Sequence, residues 1–164
     1  MQTAAVQLAE THESIQQHIP TSTAVDPVAQ EEPLQPDMAA MQPEEQTRYF
    51  LGQSKEDQLA LVFGMEPTSL EAELMARLMP GNVSSEVKMA MLDSLSSSEY
   101  AISFPAIKNA LDVPDTEVVI RAVEVFAELG SDRDIPVLKK LAETNTDEDV
   151  RNAADSAIEA LKPE

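Results

Sequence analysis

Cysteine is absent from the 164-residue chain. A disulfide framework, thiolate metal ligation and a cysteine nucleophile are therefore excluded, while the compartment is left open. The four glycines are scattered, so neither a G-x-x-x-x-G-K-[ST] phosphate loop nor a G-x-G-x-x-G dinucleotide turn can be built. No apolar run approaches the roughly 18 residues of a membrane-spanning helix. No lysine or arginine precedes Arg48, which leaves residues 1–47 without the basic start of a signal peptide or a transit-peptide pattern. The expected location is cytoplasmic, or exported if a signal lies upstream of Met1. Histidine occurs only at His12 and His18, six residues apart with no ligand set beside them, so no metal site is expected there.

Positive charge is also scarce. Thirty acidic residues face eleven basic ones, giving a net charge of -19 and a pI near 4.2. Such a field repels phosphate backbones and anionic head groups, which argues against nucleic acid and membrane surfaces as partners. It suits basic proteins, divalent cations or plain solubility. Asp147, Glu148 and Asp149 do not make a calcium loop, since the central glycine and the acid at position twelve are missing. They suit the first turn of a helix, where negative charge complements the dipole. No catalytic group and no cofactor are expected.

Residues 1–43 differ in kind from the rest. They carry five prolines (Pro20, Pro27, Pro33, Pro36 and Pro43) and acids without a compensating cation. With little apolar surface to offset ordering entropy, this segment is predicted to be a disordered tail. Val6, Leu8, Ile15 and Ile19 support at most a transient helix over 4–19.

From residue 44 to 164 apolar residues recur at three-and-four spacing between short turns, and no stretch alternates with a period of two. Helices are predicted near 44–52, 55–64, 68–79, 86–96, 102–111, 116–129, 133–143 and 147–161. The turns Pro80-Gly81-Asn82, Asp112-Val113-Pro114-Asp115, Gly130-Ser131-Asp132 and Thr144-Asn145-Thr146-Asp147 separate them. The fold class is all-α.

The helices repeat. A shift of 31 residues lays Phe104-Pro105-Ala106-Ile107-Lys108 on Ile135-Pro136-Val137-Leu138-Lys139, and Glu86-Val87 on Glu117-Val118. A shift of 32 carries Val118, Ala122, Val125, Phe126 and Leu129 to Val150, Ala154, Ala157, Ile158 and Leu161. A proline-led helix, an acidic turn and a second helix thus recur in one order. Asp147 to Arg151, followed by Ala153, Ala154, Ala157, Ile158 and Leu161, resembles the second helix of a HEAT repeat. More narrowly it is similar to the short repeats of phycobilisome bilin lyases. The resemblance implies a short right-handed α-solenoid of about three helical hairpins, 68–96, 102–129 and 133–161, with an N-terminal helical cap at 44–65. A degenerate fourth hairpin is the alternative for 44–65. The helical region has no histidine, so the iron-binding His-Glu pairs of HEAT-type hydroxylases are missing, as is a histidine base for a serine.

Stacking is required on physical grounds too, because a lone hairpin cannot bury its apolar side. The helix 116–129 is apolar nearly all round, with Val118, Val119, Ile120, Ala122, Val123, Val125 and Phe126, and needs neighbours on both sides. In the last unit, Arg151, Asn152, Asp155 and Glu159 replace Val119, Ile120, Val123 and Ala127, a polar face of the kind that ends an array. Met65, Met75, Met79, Met89 and Met91 are assigned to core filling.

Positions outside that core form a stripe. Glu117, Arg121, Glu124 and Glu128 on 116–129 align with Glu86 and Asp93 before them and with Asp149 after them. If the second helices line the concave face, as the resemblance implies, this stripe makes a shallow acidic groove for a basic or helical segment of another protein. The expected function is a non-catalytic interaction or scaffold module. Alternatives are a lyase- or chaperone-type accessory to a cofactor-bearing protein, and a structural envelope component tethered by its tail.

Overall fold

The computed structural model describes residues 37–66 and 68–163. The expected tail as far as residue 36, the weak helical pattern at 4–19 and both histidines lie outside them. Its last residues belong to the helical unit: Met38–Ala40 form a 3-10 turn whose Met38 carbonyl accepts from Gln46 Nε2 at 2.8 Å. Eight α-helices follow: α1 (Pro43–Leu51), α2 (Lys55–Gly64), α3 (Ser69–Leu78), α4 (Ser85–Ser96), α5 (Tyr100–Ala110), α6 (Thr116–Leu129), α7 (Ile135–Thr144) and α8 (Glu148–Ala160). There is no strand among the described residues.

The even-numbered helices share one way of starting. Ser54, Ser84, Asp115 and Asp147 each accept a backbone N–H of the first turn of α2, α4, α6 and α8 through the side chain. Each thereby satisfies a donor that the helix itself cannot. The odd-numbered helices have no side-chain cap, and α1 and α7 begin instead with a proline in the first turn. Proline costs nothing there, since its missing N–H would have had no partner.

The helices pack in two rows. α1 lies on α3 and α3 on α5, while α2 lies on α4, α4 on α6 and α6 on α8. α4 and α6 against α5, and α8 against α7, tie the rows together. Helices α1 and α2, the expected N-terminal cap, extend both rows, α1 on α3 and α2 on α4. Gln46 of α1 is buried with both ends satisfied, accepting from Arg77 Nη2 of α3 at 2.9 Å.

The centre of the core is α6. Val119 and Val123 are 3 % and 1 % exposed, and Val118, Ala122, Val125 and Phe126 are fully buried. On α8 the equivalent Arg151, Asn152, Asp155 and Glu159 are all exposed, so this last helix can face water. Met75, Met79 and Met91 are buried and Met65 and Met89 half-buried against the same core.

Two local expectations need correction. Helix α5 begins at Tyr100, so Pro105 stands inside the helix and does not lead it. The missing bond to the Ala101 carbonyl is tolerable because both residues are exposed. Before α7 a 3-10 turn, Asp132–Asp134, occupies the predicted start, held by reciprocal bonds between Ser131 and Asp134. Here Gly130 is required by space: a Cβ would stand 2.4 Å from the Phe126 carbonyl oxygen.

Polar links join successive units in both rows. The Ala76 carbonyl would ordinarily bond the N–H four residues on, but that residue is Pro80. Asn109 Nδ2 of α5 donates to it instead, at 2.8 Å. In the second row, Ser85 Oγ donates to Asp115, and Thr116 Oγ1 donates to Asp147 at 2.9 Å. Each hydroxyl sits at the first position of one helix and each acceptor is the cap of the next. The Asp115 carboxyl lies below its ordinary pKa, first through Ser85 and then through the Val118 N–H. Thr116, then the Val150 N–H, does the same for Asp147.

Three outcomes follow from this packing. Asn109→Ala strands the Ala76 carbonyl and lowers stability by about 1–2 kcal/mol in urea titration. Val123→Asp places a carboxylate inside the array and costs about 3–5 kcal/mol or unfolds it, whereas the equivalent α8 face already carries Asp155. A carboxylate with a depressed folded pKa adds stability above its unfolded value of about 3.9 and loses it as pH falls through the folded one. The urea midpoint of Asp115→Asn therefore changes less than that of the parent between about pH 4 and pH 2.

Candidate functional site

The stripe of charged residues lies on the second-helix row, and two shallow hollows interrupt it. The first, about 450 Å³, opens where α2, α4 and α6 meet. Leu59, Phe63, Met89 and Ala90 give it an apolar floor, and Glu86, Asp93 and Glu117 stand around it. Phe63 is 74 % exposed, although large apolar side chains are mostly covered elsewhere in the described residues. The second hollow, about 260 Å³, lies between α6 and α8 with Glu124 beside Ala127, Ala153, Ser156 and Ala160. Small side chains leave space there because they fail to fill the groove between two helices.

The carboxylates of the stripe are cross-linked. Arg121 Nε of α6 reaches Asp93 of α4 at 2.7 Å, and its Nη1 reaches Glu124 at 3.1 Å and Glu128 at 3.5 Å. Burial opposes the charge on Arg121, but the bonds to Asp93 and Glu124 outweigh it and raise the pKa above the ordinary guanidinium value. Lys55 of α2 pairs with Glu86 of α4 at 2.7 Å, and the hydrogen bond to Glu86 raises its pKa. These exposed pairs add little stability, because water and salt screen them. Their effect is on the surface charge. Six acids of the stripe are offset by only Arg121 and Lys55, and Glu117 makes no ion pair among the described residues.

Of the residues marked by sequence spacing, Glu86, Asp93 and Glu117 come together at the first hollow and Glu124 borders the second. Arg121 and Glu128 join them through the ion pairs. Asp149 stands apart, exposed in the first turn of α8 and lining neither hollow. The sequence reading missed Lys55, Leu59 and Phe63. A signal existed for Lys55: it lies 31 residues before Glu86, the same step that relates one repeat to the next. Phe63 falls within the expected cap; it lines the hollow beside Met89 and Ala90 of α4 yet stays largely uncovered, which helical spacing alone does not mark.

Reactive chemistry is sparse. Among the described residues no cluster of His, Cys, Asp or Glu can hold a metal, and no helix is long and apolar enough to cross a membrane. Tyr100 packs edge-on against Phe104 and Phe126 with ring centroids 5.4 and 6.3 Å away. Burial, reinforced by the neighbouring Asp134 carboxylate, pushes its phenol well above the ordinary value. Its buried Oη meets no partner in hydrogen-bonding geometry. Such a phenol stays protonated near neutral pH.

Comparison with known proteins fits this arrangement. A search of curated proteins and a search of solved structures each returned no match. A family profile described as HEAT repeats matches residues 71–161, more than half of the chain. The match reaches the repeat class and does not single out the phycobilisome lyase type. HEAT repeats generally mediate protein–protein interaction or scaffolding and are typically non-catalytic. With two rows of helices in register, a core shared between successive hairpins and this profile match, the chain belongs to the HEAT repeat family.

Proposed function

We propose that the chain is a non-catalytic interaction module that binds a basic, helical segment of another protein along its second-helix row. The supporting observation is the hollow of about 450 Å³ in which Phe63, Leu59 and Met89 are ringed by Glu86, Asp93 and Glu117. An apolar side chain of the partner fills the floor, and flanking lysines or arginines meet the carboxylates. Glu117 is the free acceptor. Asp93 and Glu86, already shared with Arg121 and Lys55, take a second donor without losing the first, because a carboxylate has several lone-pair sites. Binding of this kind is fast and strongly salt-dependent. The small-residue hollow beside Glu124 lets the segment continue towards α8.

The test uses a labelled amphipathic peptide with leucines on one face and lysines on the other, read by fluorescence anisotropy. Combined Glu117→Lys and Glu124→Lys is expected to weaken binding about ten-fold or more, with the melting temperature nearly unchanged because both side chains are exposed. Phe63→Ser gives a comparable loss without altering charge. Unchanged affinity in both variants would overturn the assignment.

A further inference from the structure

A second surface lies on the other row. α1 packs on α3 and α3 on α5, but α5 and α7 do not pack closely along their lengths. Between them runs a hollow of about 310 Å³ with Leu111, Pro136, Val137 and Leu141 on its floor and sides. Lys108 of α5 and Lys140 of α7 also line it, with Asp112 as the one carboxylate. Lys108 Nζ lies 6.0 Å from the Phe104 ring centroid, and neither lysine forms an ion pair among the described residues.

The charge around this hollow is opposite to that of the molecule. α5 carries Lys108 as its one charged side chain, and α7 carries Lys139 and Lys140 against Glu143. Both helices are net positive, whereas each of the other six is net negative. In a chain of net charge -19 the two exceptions are neighbours, and they border the place where the first-helix row fails to close.

We infer that the α5–α7 groove is a second docking site, which takes an acidic amphipathic helix from a partner protein. Apolar side chains of that helix cover Leu111, Val137 and Leu141, and its carboxylates meet Lys108 and Lys140. The shape favours a helix over a small molecule. The hollow follows α7 from Pro136 to Thr144, about 12 Å of helix axis, and is walled on its other side only by the end of α5 and the turn that follows it. A compact ligand would be left half in water, short of the 70–90 % burial of about that order that small-molecule sites provide. A helix laid in a groove needs no such enclosure, since its far side is meant to be solvated. The docked helix lies over the cleft between α5 and α7, where the first-helix row does not pack closely.

The charge of the site separates it from the acidic row, and so does its test. The full chain is titrated with a designed peptide of about sixteen residues, leucines at helical spacing and glutamates elsewhere, while methyl NMR signals are followed. The expected result is micromolar binding, with shifts at Leu111, Val137 and Leu141. Lys108→Glu combined with Lys140→Glu weakens it about ten-fold or more, and the melting temperature holds because both lysines are exposed. Val137→Ser, neutral in charge, weakens it as well. The inference is overturned by any of four outcomes. The peptide fails to bind at about 1 mM, affinity is unchanged by the charge reversal, laurate alone reproduces the shifts at lower concentration, or the groove signals move with protein concentration alone. The last two would assign the groove to a small amphiphile or to a second copy of the chain.

Discussion

Helix α6 needs cover on two sides, and the architecture follows from that need. Its valines and Phe126 leave no solvent-facing stripe wider than Glu117, Arg121, Glu124 and Glu128. A helix of this composition cannot end an array and cannot stand in a lone hairpin. α4 covers one flank, α8 the other, and α5 the inner side. Because α8 is polar where α6 is apolar, the requirement passes along the row and then lapses. Stability in such a stack is a matter of neighbours, so each interface depends on the one beside it.

The two rows are built differently, and the surfaces differ for that reason. Every helix of the second row begins at a serine or aspartate whose side chain is a cap, and two of those caps accept from the preceding helix. That row stays in register, and its outward faces collect acids. The first row has no such links. It relies on side-chain packing, on Arg77 reaching Gln46 and on Asn109 reaching the Ala76 carbonyl, and α5 and α7 do not pack closely. Negative charge on one row and a lysine-lined cleft in the other give the molecule two faces of opposite sign.

Much of the fold was legible because its signals are local. Periodicity located the helices, Asp115 and Asp147 marked where two of them start, and the 31-residue shift exposed the repeat before any contact was known. What escaped is what depends on neighbours in space. The helix predicted at 102–111 begins at Tyr100, whose ring stacks with Phe104 and Phe126, so Pro105 stands a full turn inside it. Phe63 falls within the expected cap, and only the placing of α2 on α4 shows it largely uncovered at the edge of a hollow. The stripe was legible as positions. Its internal pairing was not, since Arg121 could have reached into solvent as easily as to Asp93.

The hydroxyl-to-carboxylate links of the second row all lie at the same ends of their helices, where the chains start. At the far ends α6 and α8 face each other through alanines and a serine, with room to spare. The row therefore resembles pages sewn along one spine. Arg121 adds a second seam between α4 and α6 further along, so the margin left unsewn is the one between Ala127 and Ala160.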